Sequence, residues 1–220
     1  MTSTLYYLLF LLSSLGLLQT SDSCTSEDAD ALLRFTNAVN ITSLKKGWGL
    51  NNNNGSCCDW EGVSCDAVSA QIVGISLPSK GLYGRLSQGL ADIPSLQVLN
   101  VSNNNLYGPL PQDLSSLHTL DISYNMFSGQ LSDVFLNFSS LQVLDLSSNA
   151  FHGSLPPSSL RNLSLLTNFR ARNNDLSGDF PLTLCETAPL LQEMDLSSNN
   201  FSGTISKDIG LCGSLQVLVL

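Results

Sequence analysis

The sequence predicts an α/β solenoid: a right-handed curved coil of stacked short strands, with a parallel sheet on its concave face and a disulfide-stapled helical cap at its start. Three observations carry this. One pattern of apolar residues, Asn and Gly recurs along the chain at a near-constant period. The apolar residues at its centre alternate. Four of the six cysteines, Cys24, Cys57, Cys58 and Cys65, cluster ahead of the first copy.

The clearest copy runs from Leu96 to Gly108, where Leu96, Leu99, Val101, Asn104, Leu106 and Gly108 have the spacing LxxLxLxxNxLxG. Leu117, Leu120, Ile122, Asn125, Phe127 and Gly129 repeat it, and further copies lead from Leu141, Leu166 and Leu191. The first copy, led by Ile72, has Lys80 where the Asn belongs, and the last is led by Leu215. Lead positions 72, 96, 117, 141, 166, 191 and 215 differ by 24, 21, 24, 25, 25 and 24. A period near 24 with this consensus is a leucine-rich repeat solenoid.

Each slot has a physical reason. Leu99 and Val101 point to one face of a short strand, and stacking lines such residues into an apolar ladder. Each buried Leu in it contributes roughly 1.5–3 kcal/mol. The Asn stands where the chain leaves the strand, and its amide can satisfy backbone groups of its own and the next coil. The Gly suits a turn in which a Cβ is costly. One coil cannot bury its own face, so stability is a sum over neighbours and needs a cap.

In chain order, residues 1–23 read as a secretory signal. Leu5 to Leu18 is almost wholly apolar and uncharged, too short for a comfortable membrane span, and small polar residues Thr20, Ser21 and Ser23 follow it. No Lys or Arg precedes the apolar core, and a membrane anchor is the alternative. Residues 24–66 form the cap and 67–220 the repeats, about six coils with the last one truncated. In the oxidising compartment that a signal implies, the cysteines are bridges, and CC followed by a seven-residue step is not zinc spacing. Adjacent cysteines rarely pair with each other, so Cys24–Cys57 and Cys58–Cys65 are expected. Cys185 and Cys212 lie 27 apart, about one coil, so neighbouring coils bring them within reach. Two buried free thiols are the alternative. Thr25 or Ser26 caps a short helix with Glu27 and Asp28 in its first turn, and Leu32, Phe35 and Val39 share its apolar face.

The Ala31–Phe35 helix segment, Trp48 and Cys57–Cys65 (CCDWEGVSC), with Gly108-Pro109-Leu110-Pro111, Gly153-Ser154-Leu155-Pro156 and Gly178-Asp179-Phe180-Pro181, carry a resemblance. The sequence resembles the extracellular region of plant leucine-rich repeat receptor kinases and receptor-like proteins. The short coil after Leu96 and the run from Cys185 through Pro189 to Cys212 look most like receptors for tyrosine-sulfated peptides, the phytosulfokine type. Departures are Lys80, and Ser87, Ser132 and Ser206 where the plant pattern has Pro. The resemblance implies a cell-surface receptor that binds an extracellular peptide or protein, with a co-receptor kinase ectodomain as a possible second partner. Any membrane attachment would come through a segment outside this chain. The chain stops within a strand, so it reads as the front part of a larger receptor or as a truncated product. A secreted inhibitor or decoy that binds an extracellular enzyme is the runner-up.

Composition narrows the partners. A net charge of −9, with 12% charged residues, argues against nucleic acid and anionic membrane surfaces. No catalytic constellation, metal site or cofactor motif is present: His118 and His152, one to a coil, read as solvated loop residues. Six sequons, at Asn40, Asn54, Asn100, Asn137, Asn162 and Asn200, are candidate glycosylation sites. A glycan on Asn100 would obstruct the open face of its strand.

That open face is the surface left for recognition. Its exposed slots hold Asn100 and Ser102; Asp121, Ser123 and Tyr124; Asp145 and Ser147; Arg170 and Arg172; Asp195 and Ser197. Arg172, Arg170 and Tyr124 are the candidate ligand contacts, since Arg offers a planar fork of donors to a carboxylate or sulfate. Arg170 shares its slot with Asp145 and Asp195, which makes an acid–base–acid ladder and gives Arg170 a structural role. Arg172 aligns with Ser147 and Ser197, has no acid in its row, and is the better contact candidate.

Overall fold

The computed structural model describes residues 24–40, 48, 56–86, 88–112, 114–131, 135, 138–205 and 207–220. The targeting segment 1–23, the sequons at Asn54 and Asn137, and Ser87, Ser132 and Ser206 lie outside the described residues. Among the described residues no helix is long and apolar enough to cross a membrane.

The cap begins with helix α1 (Ser26–Ala38), whose N-cap Thr25 accepts the Asp28 N–H at 3.1 Å. That bond satisfies one of the helix's orphan donors. Leu32, Phe35 and Val39 are fully buried. Phe35 lies 6.3 Å from the Trp48 ring, and Trp48 lies 5.4 Å from Trp60. The Trp48 Nε1–H donates to the Glu61 carbonyl, so the buried indole keeps its polar atom paired. Disulfides join Cys24 to Cys57 and Cys58 to Cys65.

Beyond the cap, each coil except the last contributes one strand to each of two sheets among the described residues. The first sheet has β2 (Val63–Cys65) at its edge, then β3 (Ile72–Ser76), β5 (Val98–Asn100), β7 (Thr119–Asp121), β9 (Val143–Asp145), β11 (Asn168–Arg170), β13 (Glu193–Asp195) and β15 (Val217–Val219). All of its pairings are parallel except β2–β3. The register is one coil per step, as in Leu99↔Leu120↔Leu144↔Phe169↔Met194, and each of these side chains is fully buried. The apolar ladder read from the repeats is therefore a continuous core, and adjacent copies bury each other.

The second sheet, on the other side of the core, was not anticipated as such. It runs β1 (Val39–Asn40), β4 (Tyr83–Gly84), β6 (Asn105–Gly108), β8 (Met126–Gly129), β10 (Ala150–Ser154), β12 (Asp175–Asp179) and β14 (Asn200–Ser202). Strands β6, β8, β10 and β12 are the NxLxG end of their copies and bury Leu106, Phe127, Phe151 and Leu176, while Phe201 of β14 is half-buried. The cap supplies the antiparallel edge strand of both sheets, β2 for the first and β1 for the second. It therefore covers two rows of backbone groups that an open stack would leave unpaired. Gly84 permits this: its φ is +139°, and a Cβ there would sit 2.4 Å from the Ala38 carbonyl oxygen.

The asparagines link the coils, in the direction opposite to the one expected. Asn149 Oδ1 accepts the Phe127 N–H of the preceding coil at 2.9 Å, and its Nδ2 donates to Ile122 O, Leu146 O and Ser147 O. Asn104, Asn125, Asn174 and Asn199 repeat the arrangement. Each amide thus serves its own and the preceding coil. Lys80 has no preceding repeat to bond, and its ammonium instead pairs with Glu61 of the cap. On the back of the solenoid, Cys185 in the short helix Thr183–Thr187 is bonded to Cys212, one coil later.

Candidate functional site

The concave sheet presents two rows of side chains along each strand, because alternate residues share a face. One row is Asn100, Asp121, Asp145, Arg170 and Asp195, in register. The other, two residues earlier, is Val98, Thr119, Val143, Asn168, Glu193 and Val217. The strand's own alternation implied this second row, yet it was missing from the sequence-based site.

The acidic row is largely occupied with its own backbone. Asp121 Oδ1 accepts the Ser123 N–H at 3.0 Å and its hydroxyl at 2.7 Å. Asn100 does the same to Ser102, and Asp195 to Ser197. Asp145 accepts the Ser147 N–H at 2.9 Å. These Asx-type turns end the strand, so the D-x-S spacing is a turn device. Burial pushes the Asp145 carboxyl above its ordinary value, against the lowering hydrogen bonds from Ser147; Asp121 raises it further and Arg170 lowers it.

Arg170 corrects the expected ladder. It is in register with Asp145 and Asp195, but its main partner is Glu193. Arg170 Nε donates to Glu193 Oε1 at 2.6 Å, Nη2 pairs with Oε2, and Asp145 Oδ2 lies 3.9 Å from Nη1. Asp195 is spent on its own turn, while the longer Glu193 reaches across from the neighbouring strand. Asn168 Nδ2 also donates to Glu193 Oε2, at 2.9 Å. The Arg170 hydrogen bonds hold the Glu193 carboxyl below its usual range, and the same bonds raise Arg170.

Arg172 differs: it is exposed, and its guanidinium makes no hydrogen bond or ion pair among the described residues. Tyr124 is 63% exposed on the same side of the solenoid, two coils earlier. Its φ is +53°, the left-handed region shared by Asn103, Ser148, Asn173 and Ser198 at the corresponding slots. A bulky aromatic residue is unfavourable there. Replacing it by the Asn of two sister coils, Tyr124→Asn, is expected to raise stability by about 1 kcal/mol. Chemical denaturation checks this; a loss of stability would show that the ring holds the turn.

The two histidines depart from the solvated loop positions expected. His118 is half-buried just ahead of β7, with Nδ1 buried and lacking a hydrogen-bond partner among the described residues, and His152 is exposed but lies within β10. Among the described residues no three metal-binding side chains converge.

Comparisons with known proteins fit this architecture. The Leucine rich repeat N-terminal domain model matches residues 25–66. The Leucine Rich Repeat model matches 95–117, 116–138, 140–163 and 190–212. Receptor-like protein 7 of Arabidopsis thaliana is 39% identical over 88 residues, covering 39% of this chain and 9% of that protein. Phytosulfokine receptor 2 of the same plant is 35% identical over 86 residues, covering 38% and 8%. The chain thus spans about a tenth of the length of the curated relatives it matches. Among solved structures, the Arabidopsis receptor kinase HAESA in complex with the peptide hormone IDA and the co-receptor SERK1 superposes with a TM-score of 0.82 at 30% identity, over 89% of this chain and 33% of that one. The BIR3–SERK2 complex of Arabidopsis thaliana gives 0.66 at 31% identity, over 79% and 94%.

Proposed function

This chain belongs to the leucine-rich repeat family of plant receptor ectodomains, and from that premise we propose that it recognises an extracellular peptide on its concave face. The reading places it in the secretory pathway and at the outer face of the plasma membrane, as part of a receptor, with a co-receptor kinase ectodomain as second partner. The chain performs no catalysis of its own in this role.

The observation that supports it best is the contrast between two adjacent arginines. Every acid of the exposed row is engaged by its own turn or by Arg170, and Glu193 and Asp145 hold Arg170. Arg172 is left as a solvated cation on a rigid strand end, suited to a peptide carboxylate or sulfate through a bidentate contact. Tyr124, two strand spacings or about 10 Å away, supplies an apolar surface for a neighbouring peptide residue.

The test separates binding from stability. Arg172→Ala is expected to leave the melting temperature unchanged and to weaken binding of carboxylate-terminated or tyrosine-sulfated synthetic peptides by roughly 10-fold or more, as for a lost charge-assisted bond. Calorimetry on a peptide panel reads this. Arg170→Ala should lower stability by on the order of 1 kcal/mol, since the pair is partly solvated. The sign with pH follows from Glu193. Its folded pKa is depressed, so its contribution is present above the unfolded value and is lost as pH falls through the folded one. The Arg170→Ala deficit should therefore shrink in acid. Equal losses of melting temperature in both variants, or unchanged peptide binding by Arg172→Ala, would refute the division of roles.

A further inference from the structure

The first two repeat strands of the second sheet, β4 and β6, carry a feature that the later coils lack. In the slot after the buried Leu or Phe, successive coils have Tyr83, Tyr107, Ser128, His152, Ser177 and Ser202. Tyr83 and Tyr107 are neighbours, with ring centroids 5.2 Å apart. The Arg85 guanidinium lies 5.7 Å from the Tyr107 centroid, and its stem crosses Gly108. Tyr107 is thus fixed from one side, while Tyr83 remains 54% exposed. The exposed Tyr83 ring, backed by the half-buried Tyr107, offers an apolar face that an occupant could cover.

The cap places an attachment point beside it. Strand β1 runs antiparallel to β4 with Asn40 directly opposite Tyr83. Directly paired residues lie on one face with Cβ atoms about 4.5–5.5 Å apart. Asn40 is exposed and begins the sequon Asn40-Ile41-Thr42. The other described sequons are placed differently. Asn200 is in register with Ser177, and Asn162 is in a turn after the short helix Pro157–Leu160. Asn100 is half-buried with its side-chain oxygen engaged by Ser102.

We propose that Asn40 carries an N-linked glycan whose first N-acetylhexosamine packs on the Tyr83 ring and ties the cap to the first coil. A pyranose presents a face of C–H bonds, and that face suits the negative face of an aromatic ring. Packed at a tilt of 47° against Tyr107, Tyr83 offers this face with little rotamer freedom left to lose. The sugar joins two elements otherwise held at this edge by the two-residue β1–β4 pairing. The inference rests on passage through the secretory pathway, and the experiment keeps the two apart.

The full chain is expressed with its own leader in a plant or insect cell, and each sequon's occupancy is read by glycopeptide mass spectrometry. Asn40 is expected to be occupied. Melting temperatures are then compared for the parent, Asn40→Gln, Tyr83→Ser and the double variant. Tyr83→Ser keeps a residue that three other coils use in this slot. Asn40→Gln should lower the melting temperature by about 2–4 °C when Tyr83 is present and leave it unchanged when it is combined with Tyr83→Ser. Tyr83→Phe should retain the effect. Trimming the glycan to its first sugar should also retain it, because only that sugar makes the contact. Occupied Asn162 or Asn200 with an empty Asn40 overturns this site and leaves the secretory reading intact. No occupied sequon overturns both. An occupied Asn40 with equal losses in both backgrounds overturns the packing alone.

Discussion

Asn149→Ala is expected to destabilise the protein by about 3 kcal/mol, although it removes a side chain of modest size from a turn. The substitution orphans the Phe127 N–H, which Asn149 Oδ1 accepts at 2.9 Å. An unpaired buried donor costs about 1–3 kcal/mol, and each further lost bond costs about 1. The carbonyls of Ile122 and Leu146 lose one of two amide donors and keep those of Asn125 and Asn174, which limits the total. Urea denaturation of Asn149→Ala beside His152→Ala, a change on the exposed face of the same coil, checks the figure. A loss below about 1 kcal/mol would mean that water replaces the amide, and the backward ladder would then be ornament to the core.

The second large effect concerns the cap. Cys24→Ser combined with Cys57→Ser should cost about 3–4 kcal/mol, because the bridge closes a loop of sequence separation 33. The double change avoids leaving a reactive thiol. The Cys58–Cys65 bridge closes a separation of only 7, so its removal should cost less, about 2–3 kcal/mol. The first bridge also anchors the start of α1, whose far end delivers β1 to the second sheet. Its loss therefore uncovers one sheet edge as well as loosening the chain. Yield of folded secreted protein and guanidinium midpoints report both effects. Equal costs for the two pairs would contradict the loop-length argument.

The coil architecture was legible because its signal is redundant: Leu99, Leu120 and Leu144 say the same thing at fixed spacing, and stacking them is the one way to bury all three. The cap helix was legible from its capping residue and from the apolar face of Leu32 and Phe35, while Val39, expected on that face, begins β1. The second sheet was less so, because Tyr83–Gly84 and Asn200–Ser202 are too short to show alternation. The direction of the asparagine ladder was also hidden: sequence gives the amide its place but not which neighbour it turns toward. At the site, Arg170 was expected to pair with the acids of its own slot, and Glu193 was overlooked. Side-chain length decided that partnership, with Glu reaching where Asp195 is engaged by its own turn.

The backward reach of each asparagine has a consequence for how the molecule is made. The amide donor of Leu106 waits for Asn125, that of Phe127 for Asn149 and that of Phe151 for Asn174. Every coil is finished by the one translated after it. The growing chain can therefore assemble in the order in which it leaves the ribosome, starting on the bridged lid, with one incomplete layer at the tip at any moment.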